Sequence, residues 1–486
     1  MNALSYLVHL LQSGLGNLAA YLAAHVLLCL LPAFFIAGAL AALVPKESVT
    51  RFLGRNAPKY VSYPAAALAG SVLAVCSCTI VPLFAGIYKK GAGIGPAITF
   101  LFFAPAANIL ALAYTGVLIG PDIALARILL SLVFGIGIGM IMALIFSRAD
   151  AARDAEPNGA FAARRGLELR TLAFVLLLVS LLIFGTLKVG LLTNDYAHLT
   201  LPLAGVERFQ ATLDRLVPYD ASRGEEGVSV QGVILIAMLG LIGLTAWRGL
   251  GKVDEGYNRW TGVSLALIAL TLLGAAVRMV PQAQGLDIFF PGKVFGVILS
   301  MTGLWLLGRR AFAEHELQEW LWETWRFVRQ IFPLLVAGVF CVGVIRQLIR
   351  PEWIRSLAGH NTFFGSLAGV IFGVFLYFPT LVEVPIAKMF LSLGMHRGPL
   401  VAYLMADPEL SLQSILMVSA IIGRLRAWTY VVWVAIFSTL SGLIYGAWVD
   451  GASLWQLGAY LAGSLALLGA SLYAINRRNR TVLRDT

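Results

Sequence analysis

The sequence predicts an all-α, polytopic membrane protein of about 12–13 transmembrane helices, organised as two homologous four-helix repeats with broken helices. Three observations carry this expectation. The 486 residues are 59% hydrophobic and only 13% charged, with a mean hydropathy of +0.83, far too apolar for a soluble chain of this length. Apolar stretches of bilayer-crossing length recur at about thirteen places. The chain also aligns with itself at an offset of 303 residues, without a gap, across forty residues.

In chain order the apolar stretches fall near 18–44, 60–88, 97–119, 122–147, 170–190, 229–247, 261–280, 293–308, 327–346, 362–391, 399–423, 427–449 and 452–475. Segment 1–17 lacks the basic flank of a secretory leader and runs into a span too long for one, so it reads as an uncleaved amphipathic lead-in. The formal charge of +11 gathers in short connections, where the positive-inside rule places Lys and Arg; it reads as topology and excludes a nucleic-acid partner. Segment 148–170, with Arg148, Arg153, Arg164, Arg165 and Arg170, reads as cytoplasmic, and 191–228, whose charges balance, as lying outside. The domain boundaries expected are 1–147 for a first repeat carrying a CxC motif, 148–310 for a cytoplasmic loop plus inserted transmembrane helices, 311–450 for the second repeat, and 451–486 for a final helix and tail. Segment 311–330 sets Glu314, Glu316, Glu319 and Glu323 among Trp320, Trp322 and Trp325, the composition of an interfacial amphipathic helix leading into the second repeat.

At the 303-residue offset Val81-Pro82 meets Val384-Pro385, Gly91 meets Gly394, Gly95-Pro96 meets Gly398-Pro399, Pro105 meets Pro408 and Gly120 meets Gly423. About 0.06 aligned proline pairs are expected by chance in such a window and three occur, so the repeat is a duplication. The second and third spans of each copy carry the helix-breaking prolines. Broken helices at matched places in two repeats point to a transporter's substrate site. Eight crossings between equivalent points make the repeats parallel; one re-entrant segment counted as a crossing makes them inverted.

The chemistry of the first copy lies in Cys76-Ser77-Cys78-Thr79-Ile80-Val81-Pro82, inside an apolar stretch. Residues two apart on a helix point about 200° apart and cannot grip one ligand together. Pro82, however, withholds the N–H that the Cys78 carbonyl would take and disfavours helix at Val81. The spacing therefore predicts an unwound segment in which both thiols converge, making Cys76 and Cys78 the metal or substrate ligands, with Pro82 shaping the site. Irregular backbone at membrane depth is tolerated only around a cavity or inside protein. The alternative is that the thiols only pack. Cys29 and Cys341 are singletons assigned to packing, and four cysteines inside apolar spans form no extracellular disulfide framework.

In the second copy the position equivalent to Ile80 is Glu383, with Lys388 nearby, and Ala104-Pro105-Ala106 becomes Asp407-Pro408-Glu409. Glu383, Asp407 and Glu409 at membrane depth suit proton or ion coupling. On the other reading Glu383 and Lys388 neutralise each other, while Asp407 and Glu409 cap a half-helix near the surface. Asn108 either orients a ligand or caps the resuming half-helix. Arg127, Arg424 and Arg426 read as marking membrane ends. No CxxC, Walker loop, HExxH or nucleotide fingerprint occurs, so the chain reads as a transporter and not an enzyme, without a cofactor and without an ATP motor.

The run Cys-Ser-Cys-x-x-Val-Pro-Leu, followed by Gly-x-Gly-x-Gly-Pro-Ala and Phe-x-Ala-Pro-Ala-x-Asn, resembles the ArsP-like predicted permeases. The match passes through Cys76, Ser77, Cys78, Val81, Pro82, Leu83, Gly91, Gly93, Gly95, Pro96, Ala97, Phe102, Ala104, Pro105 and Asn108, and the stretch from Glu383 to Ser411-Leu412 is similar to the family's degenerate second half. The insertion 148–310 departs from the shorter members of that family. The resemblance implies a multi-pass efflux permease of the bacterial-type cytoplasmic (inner) membrane, with trivalent organoarsenicals or soft metals as cargo. Soft thiolates select As(III)-type metalloids over Mg or Ca, in agreement. The expected partners are that metalloid or soft-metal ion, the membrane lipid and, left open, further copies of the chain. Two alternatives stand beside this reading: a transporter of a small organic solute with structural cysteines, and a membrane thiol-disulfide oxidoreductase.

Overall fold

The computed structural model describes residues 3–471 apart from 25–27, 29, 73–76, 148–149, 151–167, 187–188, 204, 218–226, 283–284, 347, 349–350, 376–379, 454, 465 and 468. The fold is all-α, as expected. The apolar runs form α1 (Ala3–Ala24), α2 (Leu31–Ala42), α3 (Lys46–Leu53), α4 (Lys59–Val72), α5 (Ser77–Lys89), α6 (Ile94–Ala106), α7 (Ile109–Leu118) and α8 (Pro121–Ile145). After the basic loop come α9 (Leu169–Thr186), α10 (Val206–Leu216), α11 (Val230–Arg248), α12 (Arg259–Ala276), α13 (Gly292–Ala311) and α14 (Glu314–Arg346). The chain continues through α15 (Pro351–Ala358), α16 (Phe363–Phe375), α17 (Thr380–Ser392), α18 (Arg397–Leu410), α19 (Leu412–Ile422) and α20 (Arg424–Val449). Among the described residues, seven helices are long and apolar enough to cross a membrane, or up to nine when each bent pair counts as one span. Within the stretches 60–88 and 362–391 the described residues form α4 with α5 and α16 with α17, and residues 73–76 and 376–379 between them lie outside the described residues.

The chain divides into two compact units, one of Met1–Pro45 with Gly166–Val344 and one of Lys46–Arg165 with Ile345–Thr486. This division differs from the sequence boundaries: residues 1–45 group with the inserted helices and not with the rest of the first repeat. In the first unit α1 packs on α11, α2 on α9, α11 on α12, and both α9 and α12 on α13. α2 lies so close to α14 that a Cβ on Gly38 would come within 2.1 Å of Thr324 Oγ1, and Trp320 Nε1 donates to the Phe35 carbonyl at 2.9 Å. α14 is one continuous helix with Pro333 inside it, so the amphipathic segment from Glu314 to residue 330 is its N-terminal half and not a separate helix. The sequence gives no sign of a small antiparallel sheet of β1 (Asp195–Leu201), β2 (Arg278–Gln282) and β3 (Gly285–Pro291), ordered β1-β3-β2. β1 lies within the segment read as an external connection.

The second unit holds the duplication. α3 to α8 correspond one by one to α15 to α20, and Ser77–Lys89 and Thr380–Ser392 begin and end 303 residues apart. Gly91 and Gly394, each at φ 92°, close the same turn in the two copies, a conformation that requires glycine. Packing inside each copy also matches: α4 on α6 and α16 on α18, α6 on α8 and α18 on α20, α7 on α8 and α19 on α20. Between copies the contacts are reciprocal, α5 on α19 and α17 on α7, the pattern of a two-fold axis.

Where that axis crosses, equivalent residues meet: the rings of Phe134 and Phe437 stack with centroids 4.8 Å apart. At one end of α8, Asp122 accepts a hydrogen bond from Tyr445 near the end of α20, at 2.6 Å. At the other end, Phe146, which closes α8, lies 5.7 Å under the guanidinium of Arg426 at the start of α20. Equivalent helices thus run antiparallel, and the repeats are inverted, the arrangement that places transporter sites between broken helices.

Small residues let the helices of each copy close in. A Cβ on Gly139 would lie 2.7 Å from the Gly95 carbonyl oxygen, and one on Gly442 2.7 Å from the Gly398 carbonyl oxygen, equivalent contacts in the two repeats. Because the obstacle is backbone, Gly139→Ala and Gly442→Ala each destabilise the protein by about 1–3 kcal/mol. Gly240→Ala on α11, where a Cβ meets nothing within 4 Å, is neutral or gains up to about 1 kcal/mol. Thermal unfolding in detergent separates the two classes; equal midpoints for all three variants would refute the close-packing argument.

Candidate functional site

The seam between α4 and α5 falls at residues 73–76, so Cys76 lies outside the described residues. Cys78 is the second residue of α5, which is helical from Ser77 through Pro82 to Lys89. The expected unwinding between Cys78 and Pro82 does not occur. Pro82 lies inside this helix, where its missing N–H leaves the Cys78 carbonyl without its intrahelical donor but does not end the helix, and Pro385 holds the matching place in α17. From Ser77 onward the motif is therefore helical and not an extended ribbon.

Asn108 closes the break between α6 and α7. Its Oδ1 accepts from the Ala111 N–H at 2.8 Å, capping α7, and its Nδ2 donates to the Ala104 and Pro105 carbonyls at 2.8 and 3.4 Å. Two carbonyls that the turn leaves open at the end of α6, and one N–H at the start of α7, are satisfied by this one side chain. In the second copy the matching junction, α18 to α19, is bent by 45°.

The centre of the unit is an ion pair that the sequence does not reveal. Arg127, on α8, is fully buried and does not mark a membrane end; its Nη2 lies 2.9 Å from Glu383 Oε1, both side chains being 0% exposed. Its Nε donates to the Ala106 carbonyl at 2.6 Å and its Nη1 to Thr115 Oγ1 at 3.4 Å. Lys388, the partner expected for Glu383, is exposed. Five residues along a helix turn through about 140°, so the two side chains face apart.

The second repeat supplies the mirror of this arrangement. Tyr430 stands 303 residues after Arg127 and Glu409 stands 303 after Ala106; the Tyr430 hydroxyl donates to Glu409 Oε2 just as Arg127 Nε donates to the Ala106 carbonyl. Glu409 is 4% and Asp407 0% exposed, both inside α18, so neither caps a helix end near the surface. Asp407 sits where α18 crosses α16, a Cβ on Gly373 lying 2.8 Å from its backbone nitrogen. Glu409 lies close enough to Glu383 and Arg127 for their charges to act on it. Gln413, on the first turn of α19, is also fully buried, and among the described residues its amide makes no hydrogen bond.

One guanidinium thus faces two carboxylates in a site closed to water. Burying an ion costs several kcal/mol unless a partner compensates it, and Arg127, Glu383 and Glu409 together bring one basic and two acidic side chains to this buried region. Among the described residues no three His, Cys, Asp or Glu side chains converge as a ligand set. The one signal that could have found Arg127 is the repeat: the offset aligns it with Tyr430, a polar residue at the equivalent place of the equivalent helix.

Comparison with known proteins agrees with this architecture. The ArsP_1 family model, described as a predicted permease, matches residues 13–447. The UPF0718 protein MJ0584 of Methanocaldococcus jannaschii is 32% identical over 448 residues, 92% of this chain and 98% of its own length. The UPF0718 protein YraQ of Escherichia coli K12 is 27% identical over 188 residues, 38% of this chain and 46% of its own. No solved structure matches the chain.

Proposed function

Because the chain belongs to the ArsP_1 family of predicted permeases, we propose that this multi-pass membrane protein is a secondary-active exporter of a thiol-binding metalloid, a trivalent organoarsenical such as methylarsenite, across the cytoplasmic membrane. The observation that carries the proposal is the thiol motif and its place in the duplication: Cys78 lies on α5, Cys76 stands two residues earlier in the sequence, and the other copy of the inverted repeat places Glu383 on the matched helix α17. Soft thiolates bind As(III)-type species and discriminate against hard cations. Glu383, Asp407 and Glu409 are the proposed coupling groups, Glu383 and Glu409 exchanging a proton in a cluster whose single counter-charge is Arg127. Pro82 fixes the start of α5, and Asn108 holds the α6–α7 junction.

The test is accumulation of methylarsenite in everted membrane vesicles, comparing the intact protein with the Cys76→Ser/Cys78→Ser variant at equal expression. Accumulation that disappears in the double variant supports the thiol-dependent permease. Equal accumulation by both assigns the cysteines to packing and the permease to another solute; a trapped mixed disulfide with a thioredoxin-like protein, without accumulation, makes the chain a thiol oxidoreductase.

A further inference from the structure

A cavity of about 270 Å³ opens in the unit built from Met1–Pro45 and Gly166–Val344, walled by α2, α11, α12 and α14. Its lining is almost wholly carbon, with Phe34, Ile242 and Phe332 among the walls and one charged side chain, Arg329. Arg329 is exposed, and among the described residues it has no carboxylate partner, whereas Arg326, one turn earlier, pairs with Glu323 at 3.2 Å. A lone cation beside an apolar cavity requires an explanation.

The depth of the cavity supplies one. Arg329 is the last charge before the uncharged run 330–345 of α14, a length of about 24 Å of helix, close to a bilayer's hydrocarbon thickness. On α11 the apolar run ends at Trp247-Arg248. Trp247 and Trp325 meet edge to face at 6.4 Å at this level, as tryptophans do in the belt where hydrocarbon gives way to headgroups. The cation and the aromatic pair therefore line the cavity together at this level, beside the apolar side chains of Phe34, Ile242 and Phe332.

We infer that this cavity is a binding site for an anionic phospholipid, which lays one acyl chain against Phe34, Ile242 and Phe332 and sets its phosphate against Arg329. The spacing of polar and apolar features matches an amphiphile, and the charge matches an acidic headgroup. The site is separate from the proposed export chemistry and does not depend on it.

Native mass spectrometry of the full-length protein in detergent, titrated with phosphatidylglycerol or phosphatidylcholine of identical chains, tests the inference. The intact protein retains one phosphatidylglycerol about fivefold better than phosphatidylcholine, the preference one basic residue confers at an anionic surface. Arg329→Gln reduces that preference to none. Gly243→Leu, at a cavity-lining position where a Cβ meets nothing within 4 Å, fills the space and lowers retention of both lipids. Matching unfolding midpoints show that both variants fold. Equal retention of the two lipids by the intact protein overturns the inference, as does lipid retention unaltered by both variants. So does a dimer that Gly243→Leu dissociates without changing lipid retention, since the cavity then seats a second copy.

Discussion

Arg127→Met destabilises the protein by about 3–5 kcal/mol, because removing one member of a buried ion pair leaves the other charge without compensation. Glu383 is fully buried and Arg127 is its ion-pair partner at 2.9 Å. The loss extends to the Ala106 carbonyl, which the guanidinium serves at the α6–α7 break. Tyr430→Phe is the internal control, since it removes a single hydrogen bond to Glu409 at the equivalent place in the other repeat, and it costs about 1.5–3 kcal/mol. The double variant Arg127→Met/Glu383→Leu recovers most of the stability of the parent, since deleting both charges together is often neutral. Thermal unfolding in detergent reads all three. An Arg127→Met midpoint indistinguishable from the parent would mean that the pair is solvated and the site open to water.

The fold is legible where local patterns repeat. Aligned prolines and glycines locate the duplication, and α5 and α17 share both ends at the offset that Val81-Pro82 and Val384-Pro385 define. The direction of the repeats is not legible, because it depends on whether each apolar stretch is one crossing or two half-helices, and hydropathy does not distinguish them. It is settled by contacts between residues far apart in sequence, Asp122 with Tyr445 and Phe134 with Phe437. The strands escape for a related reason: the central strand β3 pairs on one side with β1, about ninety residues earlier, and strands of five to seven residues have no strong pattern of their own.

The site divides in the same way. Glu383, Asp407 and Glu409 are readable as costly charges in apolar stretches, and all three are buried. Arg127 escapes because an arginine near the start of a span ordinarily marks the membrane surface, and its partner lies 256 residues away. Pairing Glu383 with Lys388 assumes that proximity in sequence is proximity in space. On a helix that holds for residues three or four apart and fails for five.

In everted vesicles with an acidic lumen, Glu409→Gln abolishes the proton-driven part of methylarsenite accumulation while leaving substrate exchange at equilibrium intact. The sign follows from the direction of transport: the lumen corresponds to the exterior, so an exporter exchanging substrate for protons fills an acidic lumen. The cluster of Arg127, Glu383 and Glu409 carries one positive and two negative charges when all are ionised, at a place where water does not screen them. On the proposed coupling, a proton taken up from the acidic side neutralises the surplus, and its release on the other side restores it. The amide that Glu409→Gln introduces keeps the shape of the carboxyl and cannot carry that proton, so the carrier still cycles but no longer responds to the gradient. Glu383→Gln removes the same response and also takes away the carboxylate that pairs with Arg127 at 2.9 Å, so its transport falls further. Asp407→Asn completes the set, as the remaining proposed coupling group. If all three variants keep gradient-driven accumulation with its dependence on the imposed pH difference, coupling lies elsewhere and the buried charges serve to hold the two repeats in register.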